Sequence, residues 1–161
     1  MFIYKKEWLK TVLRQEELLV FEHFSREDAL ALGLKIIDLA KSKYGGVAIR
    51  IISEDAVTFY YMMEGSSMEN DWWMDKKFNV CKKTGVSSLR ASLEFEYGIR
   101  KPVEWYKNEG NYALVGGCIP VKLKSGETAG YAMVSALDHE KDHQLVADAM
   151  ADLLKIKIPS L

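Results

Sequence analysis

This sequence predicts an α+β domain with a mostly antiparallel sheet of about five strands, flanked by helices. Two pairs of short β-branched runs, each joined by turn residues, read as hairpins. Apolar residues at spacings of three and four mark helices before, between and after those hairpins. No repeated strand-helix-strand alternation appears, which argues against a doubly wound nucleotide fold.

In chain order, Leu9, Val12, Leu13 and Glu16 trace a short first helix with one apolar face. Leu18 to Phe24 reads as an extended segment. Ser25 with Asp28 is close to a capping box and opens a long helix. Its stripe is Ala29, Leu32, Gly33, Ile36, Ile37, Ala40 and Tyr44, and Gly33 invites close approach by a strand or helix. Gly45-Gly46 ends it.

Val47 to Ile52 and Val57 to Met63 form the first hairpin around Ser53-Glu54-Asp55. Ser66 with Glu69 reads as a capping box for the next helix, and Gly85 as its left-handed stop. Ser87-Ser88 caps a shorter helix carrying Leu89, Leu93 and Tyr97. Residues 102–112 read as a loop anchored by Trp105 and Tyr106. Gly117 to Leu123 and Thr128 to Ala136 form the second hairpin, turning at Lys124-Ser125-Gly126-Glu127. The last helix runs from about Asp138 to Lys155. Residues 156–161 fit either a loose tail or an interface strand.

A chain of 161 residues is most simply one domain, spanning 1–161. Its 22 basic and 23 acidic side chains leave a net charge of -1, too little to draw it to nucleic acid or an anionic membrane. Its apolar runs are far short of a membrane span, and its first residues lack the pattern of a secretory signal. A cytoplasmic location is expected. Cys81 and Cys118 have neither metal nor redox-motif spacing and read as free thiols. Cys118 reads as a small buried hydrophobe rather than a nucleophile.

Several motifs together carry a resemblance. They are Phe24 with Ala29-Leu30-Ala31-Leu32-Gly33, Asn70-Asp71-Trp72-Trp73-Met74-Asp75-Lys76-Lys77 and Gly85-Val86-Ser87-Ser88. Gly116-Gly117-Cys118-Ile119-Pro120-Val121 and Val134-Ser135-Ala136-Leu137 with Asp142-His143-Gln144-Leu145-Val146 complete the set. Over roughly residues 18–155 the chain resembles an uncharacterised family of the haem-degrading-domain group, the GlcG/HbpS-like proteins. The resemblance implies a profilin-like fold and assembly into dimers or larger homo-oligomers. It also implies distant relatives that bind haem, corrinoid or other small ligands. The family shows Val-Ser-Gly-Leu-Pro at the last hinge, where this chain has Ala136 and Asp138. Alanine there argues against the special backbone that glycine allows.

Trp73 and Lys77 lie one helical turn apart and can touch. With Ser87 and Ser88 at the next helix start, and Gly116 and Gly117 offering bare backbone, they make a candidate pocket for a small anion. The competing reading makes Trp73 core, Lys77 a solvated charge and the serines only a cap. His143, beside Asp142 and four residues after His139, joins the candidate site. The two histidines are spaced to share a metal, but no third ligand is evident, so no metal site is assigned.

No nucleophile elbow, phosphate-binding loop or triad order is present, and Glu94 and Glu96 point to different sides of their helix. Catalytic residues are therefore not assigned. The reading that results is an oligomeric small-molecule-binding protein, partnered by its ligand and by itself. Its alternatives are haem or tetrapyrrole binding and turnover, or an assembly module using tryptophan and methionine contacts.

Overall fold

The computed structural model describes residues 1–161. In chain order it contains α1 (Glu7–Leu18), β1 (Val20–Phe21), α2 (Arg26–Lys43), β2 (Ala48–Ser53), β3 (Ala56–Met62), α3 (Met68–Thr84) and α4 (Ser88–Glu96). A 3-10 turn (Glu104–Lys107), β4 (Cys118–Leu123), β5 (Thr128–Ser135) and α5 (His139–Leu154) follow. The five strands form one sheet in the order β1-β4-β5-β2-β3, antiparallel except for β1 beside β4.

Strand alternation decides which helices cover which face. Ile49, Ile51, Ile119, Val121, Ala132 and Val134 point to one face and join α2 and α5 in the main core. Ala48, Cys118 and Met133 point to the other face and meet Met74 and Cys81 of α3. α1 and α4 pack together at one end through Trp8, Val12, Leu89 and Leu93. No helix is long and apolar enough to cross a membrane.

Local chemistry explains most boundaries. Ser25 and Asp28 form a reciprocal capping box at the start of α2. Gly33 lies under the Phe59 ring of β3, where an added Cβ would come within 2.5 Å of the ring carbons. The α2 glycine is thus the close approach that its place in the apolar stripe predicts. Glu54 and Asp55 both hold positive φ, at 52° and 59°, as a two-residue hairpin turn with the sheet's own twist requires. Gly85 closes α3 at φ 73°.

Three local expectations need correction. The cap of α3 is Ser67 rather than Ser66: the Ser67 amide donates to Asn70 Oδ1 at 2.9 Å, while the Ser66 hydroxyl turns back to the Met63 carbonyl at 2.6 Å. α1 buries Trp8, Val12 and Gln15, leaving Leu9, Leu13 and Glu16 half-buried. Gln15 can be buried because its amide donates to Gln144 Oε1 and to the Pro159 carbonyl, at 3.1 and 2.7 Å, and its oxygen meets His143. The extended run at 18–24 shrinks to Val20–Phe21, the only two residues that find partners on β4.

The loop at 102–112 is anchored as expected, with Tyr106 stacked on Phe95 at 5.1 Å and Trp105 edge-on to it at 5.8 Å. The tail is neither loose nor a strand: Pro159 is held by Gln15, and the Leu161 amide donates to Gln144 Oε1 at 3.1 Å. Both cysteines are buried and free, and burial pushes the Cys81 thiol well up, which keeps it unreactive.

A buried lysine at the last hinge

Lys77 projects from the middle of α3 onto the sheet and is almost fully withdrawn from water. Its Nζ donates to Asp142 Oδ2 at 2.7 Å and to the Val134 carbonyl at 3.0 Å. Gly117, at φ 126°, makes room for it: a Cβ there would sit 2.6 Å from Nζ and 2.7 Å from the Val134 oxygen. Gly116 does the same for α5, since its Cβ would come 2.4 Å from the His139 carbonyl oxygen. The paired glycines thus let an ammonium group and a helix end reach the same point of the sheet.

Asp142 lies in the first turn of α5 and also accepts the Leu137 amide at 3.1 Å. Burial drives its pKa up to about 6, against the pull of Lys77 and the backbone donors. Ala136, just before α5, holds φ at 149°, in the region that favours glycine. The expectation of an ordinary backbone at this alanine is therefore corrected: the hinge keeps the unusual conformation without the glycine.

His139 closes one side. Its Nδ1 accepts the Gly116 amide at 3.0 Å, and its Nε2 lies 2.6 Å from the Ile3 carbonyl, so the ring is a neutral Nε2–H tautomer. Phe2, Tyr4 and Trp8 surround it edge-on, and burial lowers its pKa.

These groups border a cavity of about 230 Å³. Lys77, Asp142, Asn70 and Ser135 supply its polar lining, and Trp73 and Phe2 its aromatic walls. An ammonium carries three N–H donors, and two of those of Lys77 are engaged. The third has no partner within the protein, and Lys77 lines the cavity. Because Asp142 balances the charge of Lys77, the pair suits an uncharged oxygen acceptor better than the small anion that the sequence alone suggests.

On the far side of Phe2 lies a second cavity of about 350 Å³, walled by Tyr4, Trp73, Tyr106 and Tyr112. Lys76 borders it with Nζ 3.5 Å from the Trp72 ring centroid and 5.1 Å from that of Trp73. A further concavity of about 390 Å³ lies between α1 and β4, but its Glu16 and Arg90 are paired with each other at 2.8 Å.

The structure thus brings Trp73 and Lys77 to one cavity with Gly117 against the Lys77 ammonium, sets Gly116 against His139 and the Cβ of His143, and turns Ser87, Ser88 and the His143 ring to other partners. Ser87 caps α4 by accepting the Arg90 amide at 3.1 Å. Ser88 Oγ accepts the Cys118 amide at 3.1 Å and ties α4 to β4. His143 is buried with its Nε2 2.8 Å from Gln15 Oε1, its Nδ1 unpartnered, and its pKa held down at about 3 by burial. No three side chains of the metal-binding types converge. Asn70, Ser135, Asp142 and Phe2 also border the pocket although no spacing in the chain marks them, and His139, whose spacing with His143 suits a shared metal, borders it as well. Asn70, Ser135 and Asp142 do fall inside the motifs that carry the family resemblance.

Comparison with known proteins gives a consistent result. A family model described as haem degrading protein HbpS-like matches residues 24–151. A UPF0303 protein of Brucella anthropi is 33% identical over 154 residues, covering 92% of this chain and 89% of its own. Among solved structures, the Ybr137w protein superposes with a TM-score of 0.80 at 22% identity, over 96% of this chain and 98% of its own. A PduOC:haem complex superposes with a TM-score of 0.68 at 17% identity, over 84% of this chain and 96% of its own. At these identities the two superpositions establish a shared fold.

Proposed function

We propose, from the premise that this chain belongs to the HbpS-like family of haem-degrading proteins, that it binds a small oxygen-bearing molecule at Lys77. The observation that carries this reading is a buried ammonium with one N–H unengaged, facing a cavity beside Asn70 and Ser135. Buried polar groups of this kind fix a ligand's orientation, and the Trp73 and Phe2 rings supply apolar contact. Titration with acetamide, followed by NMR, is the direct test. The resonances of Asn70, Lys77, Ser135 and Ala136 should move together, and those of Asn70, Ser135 and Ala136 should stay fixed in the charge-neutral double variant Lys77→Met with Asp142→Asn. Shifts confined to other regions would refute the reading.

Kinship supports haem binding as a second reading, since the matching family is described by haem degradation and one fold relative is a haem complex. The lining of the Lys77 cavity does not fit haem. At about 230 Å³ it lies below the ~300 Å³ where pockets for drug-sized ligands begin, and its one histidine has both ring nitrogens engaged. A haem titration at micromolar protein separates the readings: a saturable Soret shift favours haem, and its absence removes it.

Self-association is part of the proposal. The outer strand β3 leaves Val57, Tyr60 and Tyr61 exposed and contains no charged residue. Charges on edge strands are a usual block to strand pairing, so β3 suits a second copy of itself.

A further inference from the structure

Phe2 stands between the two cavities, which share only Trp73 and Val115 besides it. The residue is 49% exposed, and its ring is held by edge contacts, 5.9 Å to Trp73 and 5.6 Å to His139. The residues beside it are pinned more firmly. The Ile3 carbonyl accepts His139, Tyr4 Oη donates to the Leu114 carbonyl at 2.6 Å, and Tyr97 Oη donates to the Tyr4 carbonyl at 2.9 Å. Residue 2 can therefore turn while residues 3 and 4 stay in place.

We infer that the two cavities are halves of one ligand site, joined when Phe2 turns aside, and that the ligand is a flat aromatic body bearing an uncharged carbonyl or amide head. The inference rests on the reading of Lys77 given above and names its ligand class. The head belongs in the smaller cavity. There Lys77 offers one N–H, Asn70 Nδ2 is tied only by a 3.4 Å contact to Ser135 Oγ, and the hydroxyl is nearby. A carboxylate head would meet the Asp142 carboxylate at the same point, with the Lys77 charge already balanced. The body belongs in the larger cavity, among the rings of Tyr4, Trp73, Tyr106 and Tyr112. The Lys76 ammonium rests over the indoles of Trp72 and Trp73, so it is placed as a wall rather than as an anion hook.

The test compares acetamide, 2-naphthamide and 2-naphthoate by NMR titration of the full chain at pH 8. 2-Naphthamide should bind at least about tenfold tighter than either of the others, since a buried aromatic ring adds that much in a fitting pocket. Tyr106→Ala should weaken 2-naphthamide and leave acetamide unchanged. Phe2→Ala, at a half-exposed position, should tighten 2-naphthamide because no ring need move. The charge-neutral pair Lys77→Met with Asp142→Asn should abolish the preference for amide over carboxylate. If acetamide binds at Lys77 and 2-naphthamide gains nothing, the joined site is overturned and the smaller pocket stands. If none of the three moves the Lys77 resonances, both readings fall.

Discussion

Lys77 and Asp142, 65 positions apart in sequence, form an ion pair of 2.7 Å with side chains only 3% and 2% exposed. α3 and the start of α5 are held to the same point of the sheet by this pair. Its geometry is made possible by Gly117, whose missing side chain is the space that the ammonium occupies.

Breaking that pair on one side should be severe. Lys77→Met leaves an uncompensated buried carboxylate and should lower unfolding free energy by about 3–5 kcal/mol. The double variant Lys77→Met with Asp142→Leu should recover most of the loss. Urea denaturation of the three proteins measures this, and equal losses in single and double variants would show that the pair does not couple the helices.

Acid should unfold the protein through His143, and Asp142 should oppose it. The folded state keeps His143 neutral down to about pH 3, while the unfolded ring takes up its proton near 6.5. Stability is therefore lost as pH falls from about 6.5 to 3, by up to about 5 kcal/mol from this group. Asp142 works the other way: its folded pKa of about 6 lies above the unfolded 3.8, so its contribution rises by about 3 kcal/mol as pH falls from 6 to 4. His143→Gln should flatten the acid limb of a stability-pH curve, and Asp142→Asn should steepen it.

Ala136 carries strain that glycine would relieve. Its φ of 149° costs an alanine more than it costs glycine, whose greater chain entropy offsets part of the gain. Ala136→Gly should raise stability by about 1 kcal/mol in thermal unfolding, and a lower melting temperature would contradict the strain.

The uncharged edge of β3 predicts a specific solution behaviour. Tyr61→Lys places a charge on that exposed edge and should shift assemblies toward monomer, read by multi-angle light scattering. Trp72→Ala, which changes an exposed indole on α3, provides the comparison. A mass unaltered by Tyr61→Lys would place self-association elsewhere.

Much of the framework is legible in the chain because the deciding signals are local. The Ser25-Asp28 box, the Gly85 stop, both hairpins and the tight position of Gly33 follow from short spacings. The pocket is less legible because its members meet across the sheet. Trp73 and Lys77 announce themselves by helical spacing, but the partner of Lys77 lies on α5, and Phe2 arrives from the first residues of the chain. Serines that cap a helix and serines that line a site look alike in sequence, so Ser87 and Ser88 read as pocket candidates although their bonds run to α4 and β4. Gln15 illustrates the same limit, since only its three partners in space explain a buried amide on α1.

Crystals soaked with acetamide would show the occupant of the Lys77 cavity. The amide oxygen should lie within hydrogen-bond distance of Lys77 Nζ, between Asn70 and the Ser135-Ala136 backbone. Well-ordered acetamide bound only elsewhere, with the Lys77 cavity filled by water at the same concentration, would contradict it.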